Sequence, residues 1–296
     1  MAQLKEVKMK ISAVKKTKQI TKAMNMVAAS KLRGAQQNME AFRPYANKFA
    51  EVLDSLVEKS GEGASPLTVP RSEVKKVNII VCTSDRGLCG GFNANLVTRA
   101  DKFSKELKEK DIQISFVTFG KKGREWCRKT SNTILSEHIG IIGSRIGFHV
   151  SSHVGQTMVD QFLKGTVDEV YVIFPEFRTV SKQTPVIRQI LPIIPEKSEK
   201  TEMDSNQPYL AEHICEPSSD ELLGDLMPTH VHVQIHRALL ETSASEHAAR
   251  MVAMDNATKA CNDMIGSLTL AYNKARQSAI TADLMDIVGG AEALKG

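Results

Sequence analysis

Aromatic residues are scarce in this chain of 296 residues, at 5% with a single Trp. So little ring volume argues against one thick hydrophobic core and fits a chain that spends much of its length in narrow helix seams. No apolar run approaches the roughly 18 residues a membrane span needs, and the opening MAQLKEVKMK has no apolar stretch of the kind a secretory signal requires. Five cysteines (Cys82, Cys89, Cys127, Cys215 and Cys261) are odd in number and lack CxxC spacing. That pattern excludes a disulfide framework and a spaced zinc site and points to a reducing compartment. Most telling is the shortage of helix breakers at the two ends. Between Gln3 and Glu58 they are Gly34 and Pro44, and between Thr229 and Val288 only Gly266. At a rise of about 1.5 Å per residue, each end would form a helix on the order of 80–90 Å long. Helices of that length must pair with each other or lie inside something else.

What is present supports that picture. From Leu4 a 3-4 spacing visits Val7, Ile11, Val14, Lys18, Thr21, Asn25, Ala28, Leu32, Ala35, Met39, Phe42, Ala46, Phe49, Leu53 and Leu56. All are apolar except the adjacent three, Lys18, Thr21 and Asn25. This is a coiled-coil seam with one irregularity, where Ile20, Met24 and Val27 offer a neighbouring stripe, as if the apolar face rotates and returns. Pro44 should bend the helix. Charge is also uneven. Residues 1–33 carry nine cations (Lys5, Lys8, Lys10, Lys15, Lys16, Lys18, Lys22, Lys31, Arg33) against Glu6, a net of +8 where the whole chain has +5. Cations at a helix start oppose the macrodipole, so this segment is expected to face an anionic partner rather than merely solvent. Because the charges circle the helix and no aromatic ring lies among them, a nucleic acid is the weaker candidate.

The second long helix is expected over 218–290, with Ser218 and Glu221 as a capping box and Pro228 near its true start. Its stripe runs Val231, Ile235, Ala238, Thr242, Ser245, Ala249, Val252, then shifts to Ala257, Cys261, Met264, Leu268, Ala271, Ala275, Ser278, Ala282 and Met285. Antiparallel pairing with the first helix, 1–60, follows. The end, ITADLMDIVGGAEAL, is apolar apart from Asp283, Asp286 and Glu292, which suits a mostly apolar socket. In the middle, 74–208, strand-like runs at 77–83, 112–120 and 169–177 alternate with helical patterns at 95–110, 121–128 and 150–163. That is a Rossmann-like α/β domain with a mainly parallel sheet. Residues 186–194 add an edge strand because Pro192 argues against a central place, and 196–208 read as a charged linker.

Chemistry is sparse. SDRGLCGGFN, 84–93, follows the first strand where phosphate loops sit, yet its glycines match neither GxGxxG nor GxxxxGK[ST]. It reads as a tight turn, with Asp85 and Arg86 as a local ion pair. His232 and His236, spaced i, i+4, have no third ligand in view and are read as solvent-facing. No nucleophilic or paired-carboxylate arrangement has credible spacing. Neither a catalytic site nor a cofactor is expected. A nucleotide-dependent α/β enzyme is the second alternative.

Three segments carry a resemblance. ITKAMNMVAASKLRGAQ (20–36), TSDRGLCGGFN (83–93) and SEHAARMVAMDNATKACNDMIGSLTLAYNKARQSAITADLMDIVGGAEAL (245–294) closely resemble the gamma subunits of F-type ATP synthases, of bacterial type. The resemblance implies an antiparallel coiled coil with an α/β foot, serving as a non-catalytic central stalk. The stalk turns inside a ring of three alpha and three beta subunits, and its foot joins the epsilon subunit and the membrane c-ring. Such a chain sits peripherally on the cytoplasmic face of the inner membrane. Lys22, Met24 and Arg33 match the stretch near the acidic lever segment of beta, and Arg276, Gln277 and Thr281 match the cluster contacting the beta catch loop. Asp283 stands where the family often has Glu, keeping the charge with one methylene less reach. HICEP (213–217) matches the foot segment facing the c-ring, with Glu216 as its acid and Cys215 replacing an aromatic. The dithiol insert of chloroplast forms is absent, and Cys82 with Cys89 is not that motif.

Overall fold

The computed structural model describes residues 2–60, 65–194 and 219–293. In chain order the elements are α1 (Ala2–Ser60), β1 (Lys76–Cys82), α2 (Phe92–Lys108), β2 (Gln113–Phe119), α3 (Lys121–Lys129), β3 (Thr133–His138), α4 (Phe148–Leu163), β4 (Glu169–Thr179), β5 (Lys182–Leu191) and α5 (Ser219–Ala293). They group into two compact units, Met1–Ser30 with Arg250–Gly296, and Lys31–Ala249.

In the Lys31–Ala249 unit the strands order β3-β2-β1-β4-β5. β1 lies parallel to β2 and β4, β2 parallel to β3, and β5 closes the edge antiparallel to β4. Alternating side chains feed two cores, as a pleated strand dictates. Ile80 and Cys82 of β1, Val117 and Phe119 of β2, and Val170, Val172 and Phe174 of β4 meet α4 and the helices α1 and α5. Val77, Ile79 and Val81, with Phe116 and Ile173, face α2 and α3 instead. β5 is the edge strand expected, ending just before Pro192. β3 is an addition to the expected set. Its alternating exposure at the other edge reflects a sequence, TILSEH, with too few β-branched or aromatic residues to stand out.

Here α1 and α5 also pair antiparallel. The Phe42 ring lies 4.8 Å from that of His236, and Phe49 lies 6.2 Å from His230. α5 is buried on every side from Val231 to Ala248, except for the half-buried Gln234 and Arg237. An all-round buried helix loses the one-sided pattern that marks an amphipathic one. Pro228 lies inside α5 rather than at its start, because the described helix already runs from Ser219. Ser218 of the expected capping box lies outside the described residues.

In the other unit, Asn25 Nδ2 donates to Met251 O at 2.8 Å, and Thr258 Oγ1 donates to Thr21 Oγ1 at 2.8 Å. Rising numbers on α1 meet falling numbers on α5, so these segments are antiparallel too. The expected rotation of the α1 stripe does not occur. Lys18 and Asn25 are half-buried and Thr21 buried, while Ile20 and Val27 are 60% and 58% exposed. The seam runs straight through Thr21 and Asn25 because hydrogen bonds across it satisfy them. On α5 beyond Ala253 the covered positions are Met254, Thr258, Cys261, Ile265, Leu268, Tyr272, Ala275 and Ala279, a regular heptad, with Ala257 half-buried beside it as expected. Met264, Ala271, Ser278, Ala282 and Met285, expected in the seam, are exposed. Small apolar residues on both faces of this stretch leave two registers open to sequence reading, and Tyr272 fills the buried one.

Candidate functional site

The candidate site is a set of surfaces rather than a cleft. On α1, Lys5, Lys8, Lys10, Lys15, Lys16 and Lys22 are exposed. Glu6 pairs with Lys10 at 2.7 Å, and that hydrogen-bonded cation holds its carboxyl below the usual range. Met24 is half-buried beside the Thr21–Asn25 polar stretch. Arg33, also exposed, falls in the Lys31–Ala249 unit.

On α5, Arg276, Gln277, Thr281 and Asp283 are all exposed, and Thr281 Oγ1 donates to Gln277 O at 3.0 Å. Spacings of four and seven keep Gln277 with Thr281 and Arg276 with Asp283 on neighbouring rows of the helix. Beyond them the helix is bare. Every residue from Thr281 to Ala291 is exposed, and Leu284, Met285, Ile287 and Val288 stand 57%, 65%, 72% and 53% open. The Asn25–Met251 and Thr21–Thr258 contacts explain why. Carried back along an antiparallel pair, they bring the start of α1 opposite α5 residues near 275, so among the described residues the rest of α5 has no helix beside it. A contiguous apolar surface of this kind marks an interaction site. Glu216 lies outside the described residues.

Elsewhere the polar groups are structural. The 84–91 turn, with Leu88 and Gly90 at φ of 64° and 59°, is a tight turn as expected. The Asp85 carboxylate, read from sequence as the partner of Arg86, instead accepts from the backbone N–H groups of Lys121 and Gly140 at 3.0 Å each. His232 and His236 do not face solvent. They are 9% and 7% exposed, and burial lowers the pKa of both. Ser151 Oγ and His236 Nδ1 lie 3.0 Å apart, but Ser151 is fully buried and the rings of Phe42 and Phe148 flank the imidazole, so no substrate can reach the pair. Burial pushes the Cys82 and Cys127 thiols up to about 12, the opposite of an activated thiolate. Among the described residues no group of three or more metal-ligating side chains converges, and no helix is long and apolar enough to cross a membrane.

Sequence reading missed Glu241, 2% exposed, which accepts from the Phe177 N–H at 3.2 Å and pairs with Arg237 at 3.2 Å. A Glu four residues from an Arg on a helix looks like any surface pair, so nothing local signals its burial.

The model of the ATP synthase family matches residues 3–294, and the ATP synthase gamma chain of Desulfosudis oleivorans is 63% identical over 298 residues, covering both chains fully. The chain belongs to the ATP synthase gamma chain family. The gamma chain of Nitratidesulfovibrio vulgaris strain Hildenborough is 51% identical over 296 residues, again covering both chains. Among solved structures, the fold is similar to a chain of the Euglena gracilis mitochondrial ATP synthase rotor, with a TM-score of 0.61 at 18% identity over 94% of this chain and 99% of that one. A chain of the Tetrahymena thermophila central stalk and c-ring gives 0.59 at 23% identity, over 80% and 99%. Neither the nucleic-acid reading nor the nucleotide-dependent enzyme reading finds support among these relatives.

Proposed function

We infer that this chain is the central-stalk, rotor subunit of an F-type ATP synthase, coupling ion translocation through the membrane sector to ATP synthesis and hydrolysis at the beta subunits. It is a non-catalytic subunit. The single observation that carries the reading is the apolar end of α5, which no described residue of its own chain covers and which fits a socket built by others. Its partners in this reading are the ring of three alpha and three beta subunits, the epsilon subunit and the c-ring. The Euglena and Tetrahymena structures, named for rotor, central stalk and c-ring, support that assignment. The chain is a peripheral part of a membrane-bound complex, on the cytoplasmic face of the inner membrane in this reading.

Lys22, Met24 and Arg33 meet the acidic lever of beta, Arg276, Gln277, Thr281 and Asp283 meet its catch loop, and Glu216 faces the c-ring. The physical logic is that of differential contact, since a turning element shifts beta between states only by touching them unequally. Single exposed ion pairs contribute on the order of 0–1 kcal/mol each, so they break and re-form at every step. The paired helices, with Ala28 and Ala46 buried along α1, supply stiffness.

The test is assembly followed by coupling. Mixed with alpha and beta subunits, the chain should yield a stable ATP-hydrolysing complex. In the reconstituted enzyme, Lys22→Ala with Arg33→Ala should lower ATP-driven ion pumping relative to hydrolysis. Pumping unchanged by the pair would remove those two contacts from the mechanism, and failure to assemble would remove the rotor reading itself.

A further inference from the structure

Within the Lys31–Ala249 unit a cavity of about 370 Å³ opens between α1, the loop after β3 and α5. Its polar lining comprises Lys31 and Asn38, Ser144 and Arg145, and Ser243 and His247. The volume falls in the range of small-molecule sites. No carboxylate lines it. Glu246 is outside the lining but close to it, its Oε2 2.9 Å from His247 Nδ1 and 3.8 Å from where a Cβ on Gly143 would stand. Among the described residues neither Lys31 nor Arg145 has an acidic partner, whereas Lys10, Lys48, Lys105, Lys122 and Lys259 each pair with one. Ser243 is the second, independent pointer. It is 5% exposed, and among the described residues its hydroxyl makes no hydrogen bond. Its neighbours are satisfied, with Thr242 Oγ1 donating to Ala238 O at 2.6 Å and Ser245 Oγ to Pro175 O at 3.2 Å. The Ser243 oxygen is not among the sealed, unpartnered polar atoms, so it opens onto the cavity and can donate to a group held there.

We propose that this cavity binds a small oxyanion of the phosphate class, with Lys31 and Arg145 neutralising its charge and Ser243 and Asn38 donating to its oxygens. Guanidinium and ammonium groups with converging neutral donors are the chemistry that recognises phosphate oxygens. No Phe, Tyr or Trp ring lines the cavity and His247 is its one imidazole, so a nucleobase finds no broad stacking platform there and the phosphate group is what is read.

The full-length chain is titrated with inorganic phosphate and with pyrophosphate by calorimetry at low ionic strength. One saturable site is expected, tighter for pyrophosphate and no tighter for ADP. Lys31→Gln with Arg145→Gln should weaken it at least about tenfold, and Ser243→Ala several-fold. Lys15→Gln with Lys16→Gln, on the exposed basic stretch, should leave it unchanged. Circular dichroism confirms folding, which substitutions at the exposed Lys31 and Arg145 should not disturb. Absence of saturation, equal loss on removing Lys15 and Lys16, or a strong preference for ADP would overturn the proposal. So would binding of a Glu-rich peptide with the same residue dependence in place of phosphate.

Discussion

Glu241 tests how far the core of the Lys31–Ala249 unit depends on one buried charge. Its two oxygens are divided between the Phe177 N–H and the Arg237 guanidinium, and the residue is 2% exposed. Glu241→Ala orphans the Phe177 N–H, which costs about 1–3 kcal/mol. It also removes one methylene, at about 0.8 kcal/mol, together with the carboxyl group, and leaves a void. Arg237 adds little, because its side chain is 26% exposed and can turn to water. The sum is about 2–4 kcal/mol. For a unit of 150–250 residues, each kcal/mol moves Tm by about 2–4 °C, so a fall of about 4–16 °C is expected in thermal unfolding followed by circular dichroism. Glu241→Gln keeps a carbonyl oxygen for Phe177 and loses only the charge, so its fall should be about 2–4 °C. Equal shifts for the two variants, or a Glu241→Ala shift under about 2 °C, would refute the claim that the Phe177 hydrogen bond dominates.

A Cβ added at Gly155 would meet His232 Cδ2 at 2.3 Å. Gly155→Ala should therefore destabilise by about 1–3 kcal/mol, and in a His232→Ala background by much less, as a double-mutant cycle in urea would measure. The histidines set a pH dependence. His230 is lowered to about 4 by burial and by nearby Arg188, and burial also lowers His232 and His236. Below the ordinary value of about 6.5 the unfolded chain binds more protons than the folded one, so stability should be full above pH 6.5 and fall as pH drops towards 4. His230→Gln should flatten the largest share of that slope in urea midpoints taken from pH 7.5 to 4.5. Leu284→Ser with Ile287→Ser, at bare positions of α5, should leave the chain's own melting within about 0.5 kcal/mol while weakening its capture by alpha and beta subunits in pull-down.

Legibility followed periodicity. The α1 seam was readable at its thirteen apolar positions because they recur every three or four residues over a long run. Its polar members misled, since hydrophobicity alone cannot show that Asn25 and Thr21 find partners across the seam. The distal α5 register was not readable, because Ala, Ser and Met populate several faces and only packing selects Ile265 and Tyr272. β1, β2 and β4 announced themselves through buried β-branched runs, while β3, half-solvated at an edge, did not. The exposed α5 residues 276, 277, 281 and 283 came from resemblance, as no local pattern separates a partner-facing polar residue from a solvated one. His232, His236 and Glu241 were lost for the reverse reason, since an all-round buried helix hides charged residues where sequence reading expects solvent.

The two faces of the sheet close at different moments in synthesis. The layer against α2 and α3 draws almost wholly on residues 74–187, with Ala249 at its margin, so it can form soon after β5 leaves the ribosome. The opposite face waits for Leu223, Met227, Val231, Ile235 and Leu239. Until those residues emerge, Val154, Met158 and Phe162 have no lid and Leu53 and Leu56 no mate. The nascent chain thus carries a sticky, half-finished surface during translation of the intervening stretch, the interval in which a holding chaperone has most to protect.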